Sequence, residues 1–140
     1  MGYADQPGDA SHHSDFAGPM RDWLSHRVAA TPDRTALIHA NSGDSWTFGE
    51  LDTLVRETAG QLAALGVRPG DHVGAVLEPR VEYVRLIHAV VRLGATLVPI
   101  SDRLTPSEVE RNLEIADVTT LVCGAETESV AVEASTDVPV

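Results

Sequence analysis

The sequence predicts an α/β fold in which apolar strands alternate with amphipathic helices. Apolar runs recur at 72–77, 95–100 and 119–124, the composition expected of strands buried on both faces. Helical periodicity fills the intervals between them. Thr47 with Glu50 and Thr105 with Glu108 each form the capping-box pattern that starts a helix. Strand and helix alternating three times require right-handed crossovers and a mostly parallel sheet covered by helices.

Taken in order, the first nineteen residues, MGYADQPGDASHHSDFAGP, lack any apolar stretch and are expected to form a flexible arm over 1–19. MRDWLSHRVAA, 20–30, sets Trp23, Leu24, Arg27 and Val28 at helical spacing, and Thr31-Pro32 ends that helix because proline disfavours helical geometry in the residue before it. TALIHA, 35–40, then NSGDS and Trp46-Thr47-Phe48 read as a hairpin. From 48 to 65, Phe48, Leu51, Val55, Thr58, Leu62 and Leu65 fall on one helical stripe, with Asp52 and Arg56 four apart on an outer face.

HVGAVL, 72–77, follows as a buried strand. EPRVEYVRLIHAVVRLG forms the next helix, with Val81, Val84, Ile87, Val91 and their neighbours making a wide apolar face, and ATLVPI, 95–100, is a third buried strand. TPSEVERNLEIAD, 105–117, places Pro106 at the first helical position, and TTLVCG, 119–124, is the last strand. AETESVAVEASTDVPV, 125–140, shows a Val-Ala-Val patch but no closing helix. Strands this apolar need cover on both faces and protected edges, so we expect the front part of a longer protein, with 125–140 a truncated continuation.

Composition disfavours two classes of partner. The 140-residue chain has 43% hydrophobic residues and a net charge of -11, so it is expected to fold around a core and to repel nucleic acid and anionic membrane surfaces. All ten basic residues are arginine. That balance fits a salt-adapted cytoplasm, where carboxylates hold hydration and screening weakens their repulsion; a genome favouring arginine codons gives the same pattern. Cys123 is the only cysteine, no secretory signal opens the chain, and no run reaches the roughly eighteen apolar residues that span a bilayer. A cytoplasmic location is expected.

Glycines 66, 70 and 74 in LGVRPGDHVGAVLEP, 65–79, raise the question of a phosphate loop. Such a loop runs strand, glycine loop, helix, so that amides at the helix start face the anion. Here a helix comes first and a strand follows. Gly66 closes the helix, Pro69-Gly70 forms a type II turn, and Gly74 lies inside a strand where a neighbour approaches closely.

The histidines show no metal spacing: His12-His13 lies in the arm, His26, His39 and His72 stand apart, and His88 reads as a hydrogen-bonded, partly buried side chain. Ser25-His26 is no catalytic pair, because neighbours on a helix point in different directions. Cys123 reads as a small buried residue, Trp23 and Trp46 as packing anchors, and Glu108, Glu110 and Glu114 with Arg111 as a solvated face. No residue is assigned a catalytic, cofactor-binding or metal-ligating role.

Three stretches nevertheless resemble one family in order and separation. WTFGELD, 46–52, resembles the early [TS]-[YF]-x-E-L element of the adenylate-forming, or AMP-binding, acyl-CoA synthetase superfamily. LGVRPGDHVGAVLEP resembles the helix end and strand that follow, and VRLGATLVPIS, 91–101, resembles the next G-A-x-x-V-P element. The resemblance spans about residues 20–124, and the lead DWLSHRVAATPDRTALIHA is similar to that of 2-succinylbenzoate-CoA ligases of menaquinone synthesis, though general acyl-CoA ligases share much of it.

That resemblance implies that 20–124 form the first, mostly parallel part of a large N-terminal domain. It also implies ATP, Mg2+ and coenzyme A as cofactors and a small-molecule carboxylate as substrate. The carboxylate becomes an acyl-adenylate with loss of pyrophosphate, and the thiol of coenzyme A then displaces AMP. The family's Ser/Thr/Gly phosphate loop ending in Pro-Lys-Gly, its ribose-binding aspartate and the lysine of its mobile C-terminal domain have no counterparts in this chain, which has no lysine. No functional position carries over, and the chain alone is expected to be inactive without the missing C-terminal remainder. A noncatalytic α/β module that binds a partner through a sheet edge, and the start of an amino-acid adenylation domain, stand as alternatives.

Overall fold

The computed structural model describes residues 22–135 together with Val138; the arm expected over 1–19, with its His12-His13 pair, lies outside the described residues. Ten elements follow in order: α1 (Trp23–Ala30), β1 (Thr35–Ile38), β2 (Ser45–Thr47), α2 (Phe48–Ala64), β3 (His72–Val76), α3 (Val81–Arg92), β4 (Thr96–Pro99), α4 (Pro106–Ile115), β5 (Thr120–Cys123) and α5 (Glu128–Ala134). The expected alternation is present. β1 and β2 form an antiparallel hairpin, and β3 is the centre of a parallel sheet of order β4-β3-β5.

Pleating divides the core into two layers. Val73 and Ala75 pack with Leu51, Val55 and Leu62 of α2 and Leu86, Ala89 and Val90 of α3. Val76 and Leu121 face the other way, against Val109 and Leu113 of α4 and Ala131 and Ala134 of α5. The sheet therefore lies between two helical layers. The winding reverses at β4: α3 carries the chain from β3 to β4 over one face, and α4 carries it past β3 to β5 over the other.

Local chemistry sets the element ends. The Thr47 hydroxyl accepts from the Glu50 N–H at 3.2 Å while the Glu50 carboxylate accepts from the Thr47 N–H at 2.8 Å, completing the box that starts α2. At α4 the Glu108 carboxylate accepts from both the N–H and the hydroxyl of Thr105, at 2.8 and 2.9 Å. Gly66 and Gly70 have φ of 101° and 88°, and the Asp71 N–H closes the turn on the Arg68 carbonyl at 3.1 Å. A Cβ on Gly74 would stand 3.0 Å from methyl carbons of both Leu121 and Val118, which is the close approach expected of a strand glycine.

Several expectations are corrected. Trp23 is 75% exposed and Leu24 is the buried residue of α1. Leu65 is 70% exposed because the helix has ended, and Val67 fills the place beneath it. Asp52 is buried, not on an outer face. Within the wide apolar face of α3, Leu86, Ala89 and Val90 are the buried residues, with Val81, Val84, Ile87 and Val91 half-buried. β4, at one edge of the sheet among the described residues, is half-exposed, and Pro99 suits such an edge. Finally, 128–134 form helix α5, where no closing helix was expected; its Val-Ala-Val patch sets Ala131 against the second core layer.

Candidate functional site

Open parallel sheets bind ligands in the crevice beyond the carboxyl ends of their strands, at the point where the chain's winding reverses. In this chain that place lies among 77–80 after β3, 100–104 after β4 and 124–127 after β5. β3 leads to a helix on one face, whereas β4 and β5 lead to helices on the other, so the loops splay apart around the end of β3.

Two contacts close the crevice between β3 and β5. The Thr127 hydroxyl donates to the Val76 carbonyl at 2.6 Å and accepts from the Gly124 N–H at 3.0 Å, tying the start of α5 to the central strand. Above it, the Arg80 guanidinium reaches Glu78 at 2.6 Å and Glu126 at 3.3 Å, so one cation spans both loops. On the β4 side, the Ser101 hydroxyl accepts from the Arg103 N–H at 3.3 Å, and Arg103 enters no ion pair among the described residues.

Beside these loops, a groove of about 340 Å3 runs between the β1–β2 hairpin and the start of α3, lined by Leu37, Trp46, Val81, Tyr83 and Val84 among others. It opens into a shallower trough bordered by Asp44, Glu78, Glu82 and Asp102.

The described residues do not fit an ATP–magnesium site. No group of three or more His, Cys, Asp or Glu side chains among them could hold a metal ion. The start of α3, which faces the crevice, carries Glu82 in its first turn, and the cation at its N-cap, Arg80, is already paired with Glu78 and Glu126. The glycine turn at 66–70 lies before β3, at the opposite, amino end of the strand.

The residues weighed from sequence are scattered. His26 is exposed, the His39 ring is held by the Ser42 hydroxyl at 2.7 Å, and the His72 ring bonds the Ala116 carbonyl. His88 is half-buried as expected, but makes no side-chain hydrogen bond among the described residues; burial pushes its pKa down, Asp22 opposes that shift and Arg92 adds to it. The Ser25 hydroxyl donates to Asp22 at 2.6 Å and not to His26. Cys123 is partly buried, and burial followed by the charge of Glu128 pushes its thiol up, away from nucleophilic character. Glu108, Glu110 and Glu114 are exposed. Trp46 lines the groove rather than anchoring a core layer.

Sequence reasoning missed Thr127 and Arg80. A threonine four residues past a strand end and an arginine after a proline carry no pattern of their own; only the pairing of β3 with β5 brings them together. Among the described residues, no helix is long and apolar enough to cross a membrane.

Comparison with known proteins adds a second line of observation. The family model described as "AMP-binding enzyme" matches residues 24–139. The 2-succinylbenzoate–CoA ligase of Bacillus pumilus (strain SAFR-032) is 35% identical over 97 residues, covering 69% of this chain and 19% of that protein. The 4-coumarate–CoA ligase 5 of Oryza sativa subsp. japonica is 32% identical over 104 residues, covering 74% of this chain and 19% of that protein. Among solved structures, the o-succinylbenzoate CoA synthetase of Bacillus subtilis, bound with a product analogue, superposes with a TM-score of 0.79 at 33% identity over 84% of this chain and 24% of its own. A Mycobacterium tuberculosis fatty acyl CoA synthetase gives 0.76 at 30% identity, again over 84% and 24%. The chain thus spans about a fifth of the length of the curated relatives it matches.

Proposed function

The chain belongs to the AMP-binding enzyme family, and on that premise we propose that it forms the front part of the large domain of an AMP-forming acid–CoA ligase. In the whole enzyme, ATP and a carboxylate would give an acyl-adenylate and pyrophosphate, and the thiol of coenzyme A would then displace AMP. A carboxylate is a poor electrophile, and the mixed anhydride supplies the leaving group that thioester formation needs. ATP, Mg2+ and coenzyme A belong to that complete enzyme. The described residues supply the sheet and the crevice loops on which the rest of the domain would build.

The observation that carries this reading is the placement of the three family-like stretches. WTFGELD opens α2, LGVRPGDHVGAVLEP spans the end of α2 and β3, and VRLGATLVPIS ends α3 and forms β4, so all three lie on consecutive elements of one α/β unit. As acyl substrate we put 2-succinylbenzoate first, because relatives named for that ligase match over about seven tenths of the chain. The similarity to a 4-coumarate ligase makes an aryl-propenoate the second choice.

A chimera tests the reading. Residues 22–135 replace the matching segment of the Bacillus subtilis o-succinylbenzoate CoA synthetase, and AMP release is measured with 2-succinylbenzoate, 4-coumarate or a fatty acid, each with ATP, Mg2+ and coenzyme A. A folded chimera that releases AMP supports the proposal. A chimera that folds and binds ATP but forms no adenylate with any of the acids overturns it.

A further inference from the structure

Trp23 is the first residue of α1 and lies 75% exposed, while its neighbour Leu24 fills the core. A hollow of about 470 Å3 lies beside it, lined by Asp22, Trp23, His26 and Arg27. A second, of about 190 Å3, shares Arg27 and is completed by Thr31, Arg34, Thr35 and Phe48, with no carboxylate. Asp22, the one carboxylate of the first hollow, is taken up by Arg92, Ser25 and the amides of α1. Arg27 lies over the Phe48 ring at 5.9 Å, and neither Arg27 nor Arg34 enters an ion pair among the described residues. A chain with 21 acidic and ten basic residues thus carries a basic, aromatic face along α1.

The start of this face is set at the opposite end of the sheet from the crevice. Arg92, which binds Asp22, closes α3 just before β4 begins, so that joint sits at the amino ends of the strands. The loops on which the rest of the domain would build, at 77–80, 100–104 and 124–127, lie at the carboxyl ends. The segment joined directly to this face is residues 1–21, which hold Asp5, Asp9 and Asp15 and the aromatic Phe16.

We propose that this segment folds back along α1, with Phe16 in the hollow beside Trp23 and the carboxylates of Asp15 and Asp9 on Arg27 and Arg34. The six residues from Phe16 to Asp22 span at most about 20 Å, and the eight residues of α1 about 12 Å, so the hollow is within reach. An aromatic anchor with flanking charges needs no apolar stretch of its own. The covalent tether replaces the cost of a bimolecular encounter with a high local concentration, and opposite charge fixes the direction in which the segment lies. The inference stands on α1 and does not depend on the ligase proposal.

The test measures acrylamide quenching of Trp23 fluorescence in the 140-residue chain, with Trp46→Phe leaving Trp23 as its sole tryptophan. A segment seated in most molecules lowers the quenching constant by about twofold or more relative to a chain lacking residues 1–19. Phe16→Ser, or Asp9→Asn with Asp15→Asn, is expected to remove about half or more of that protection, as is Arg27→Gln with Arg34→Gln. Glu110→Gln with Glu114→Gln changes the charge by as much on α4 and leaves the protection intact. In the parent chain, broadening of the Trp23 indole resonance by a soluble paramagnetic agent gives the same reading without the Trp46 change.

Equal quenching with and without residues 1–19 overturns the proposal. Protection that fades on dilution does so too, because a second copy would then cover Trp23. Unchanged protection in Phe16→Ser, or in the paired aspartate variant, removes the anchor or the charge pairing and is equally fatal. The chimera of residues 22–135 in the Bacillus subtilis synthetase, read by the Trp23 indole resonance, gives the last comparison. Trp23 is expected to be accessible there and shielded once residues 1–21 are restored; shielding without them would show that the rest of the domain covers this face, against the proposal.

Discussion

The Arg92 guanidinium joins Asp22 and Asp52, which lie 70 and 40 residues away in the chain, with bonds of 2.7 and 2.8 Å. Its side chain is 19% exposed and that of Asp52 12%. Asp52 also accepts from Arg56 at 3.0 Å. Asp22 in turn accepts from the N–H groups of Leu24 and Ser25 at the start of α1. One arginine on α3 thus fixes α1 and α2 together, and the cap of α1 is part of a tertiary joint.

Removing that cation leaves two carboxylates sharing a partly dry site. Arg92→Gln is expected to cost about 1.5–3 kcal/mol, the range for a hydrogen bond to a charged group. Urea unfolding of the single variants and of Arg92→Gln with Asp52→Asn gives the coupling between them. A double variant as unstable as the sum of the singles would show that the pair is not coupled.

Asp22 makes part of this joint sensitive to acid. Burial raises its pKa, but the Ser25 and Arg92 hydrogen bonds outweigh that and hold the carboxyl at about 2, below the ordinary 3.8. Because the folded pKa is depressed, the stabilisation is fully present above pH 3.8 and is lost as pH falls through about 2. Stability measured between pH 5 and pH 2 should therefore fall less steeply in Asp22→Asn than in the parent chain. Identical slopes would show that Asp22 does not carry that linkage.

At Gly74 the constraint is steric. A methyl group there meets Leu121 and Val118 at 3.0 Å in a strand with neighbours on both sides. Gly74→Ala is expected to destabilise by about 1–3 kcal/mol, the usual cost of overpacking a core. Gly60, where an added Cβ meets nothing within 4 Å, is the control: Gly60→Ala in mid-helix should stabilise by roughly 0.5–1 kcal/mol.

Thr127 carries a polar bridge between α5 and the sheet. Thr127→Val keeps the shape but leaves the Val76 carbonyl and the Gly124 N–H without their hydroxyl partner, at a cost of about 1–3 kcal/mol. Thr127→Ser should restore most of it. Hydrogen exchange at Gly124 reports the loss locally, and unchanged protection there would refute the bridge's role.

Assayed by itself with 2-succinylbenzoate, ATP, Mg2+ and coenzyme A, the 140-residue chain is expected to release no AMP. Pyrophosphate and AMP assays on the purified chain check this directly. Turnover would show that residues within this chain complete an active site.

Much of the fold was legible because its causes are local. Both capping boxes, the positive-φ turn at Gly70 and the apolar runs of β3 and β5 depend on residues within a few positions of one another. Asp52 shows the limit: four residues from Arg56, it reads as half of a solvated pair, yet its burial comes from Arg92 on another helix. α5 was missed because seven residues with no side-chain cap bond carry a weak helical pattern, and its start is held by the Thr127 hydroxyl, which donates to Val76 of β3. The crevice contacts were hidden for the same reason, since Arg80 and Glu126 meet only through strand pairing.

By itself, then, the sequence determined the α/β alternation, the helix starts, the turn into β3 and the family-like register of three stretches, all set by short-range sterics and apolar periodicity. Tertiary structure alone decided which of the described strands is central, which residues of the apolar face of α3 are buried, and which charges share a dry site. Those outcomes depend on contacts between residues far apart in the chain, and periodicity within one element carries no information about the element it will meet.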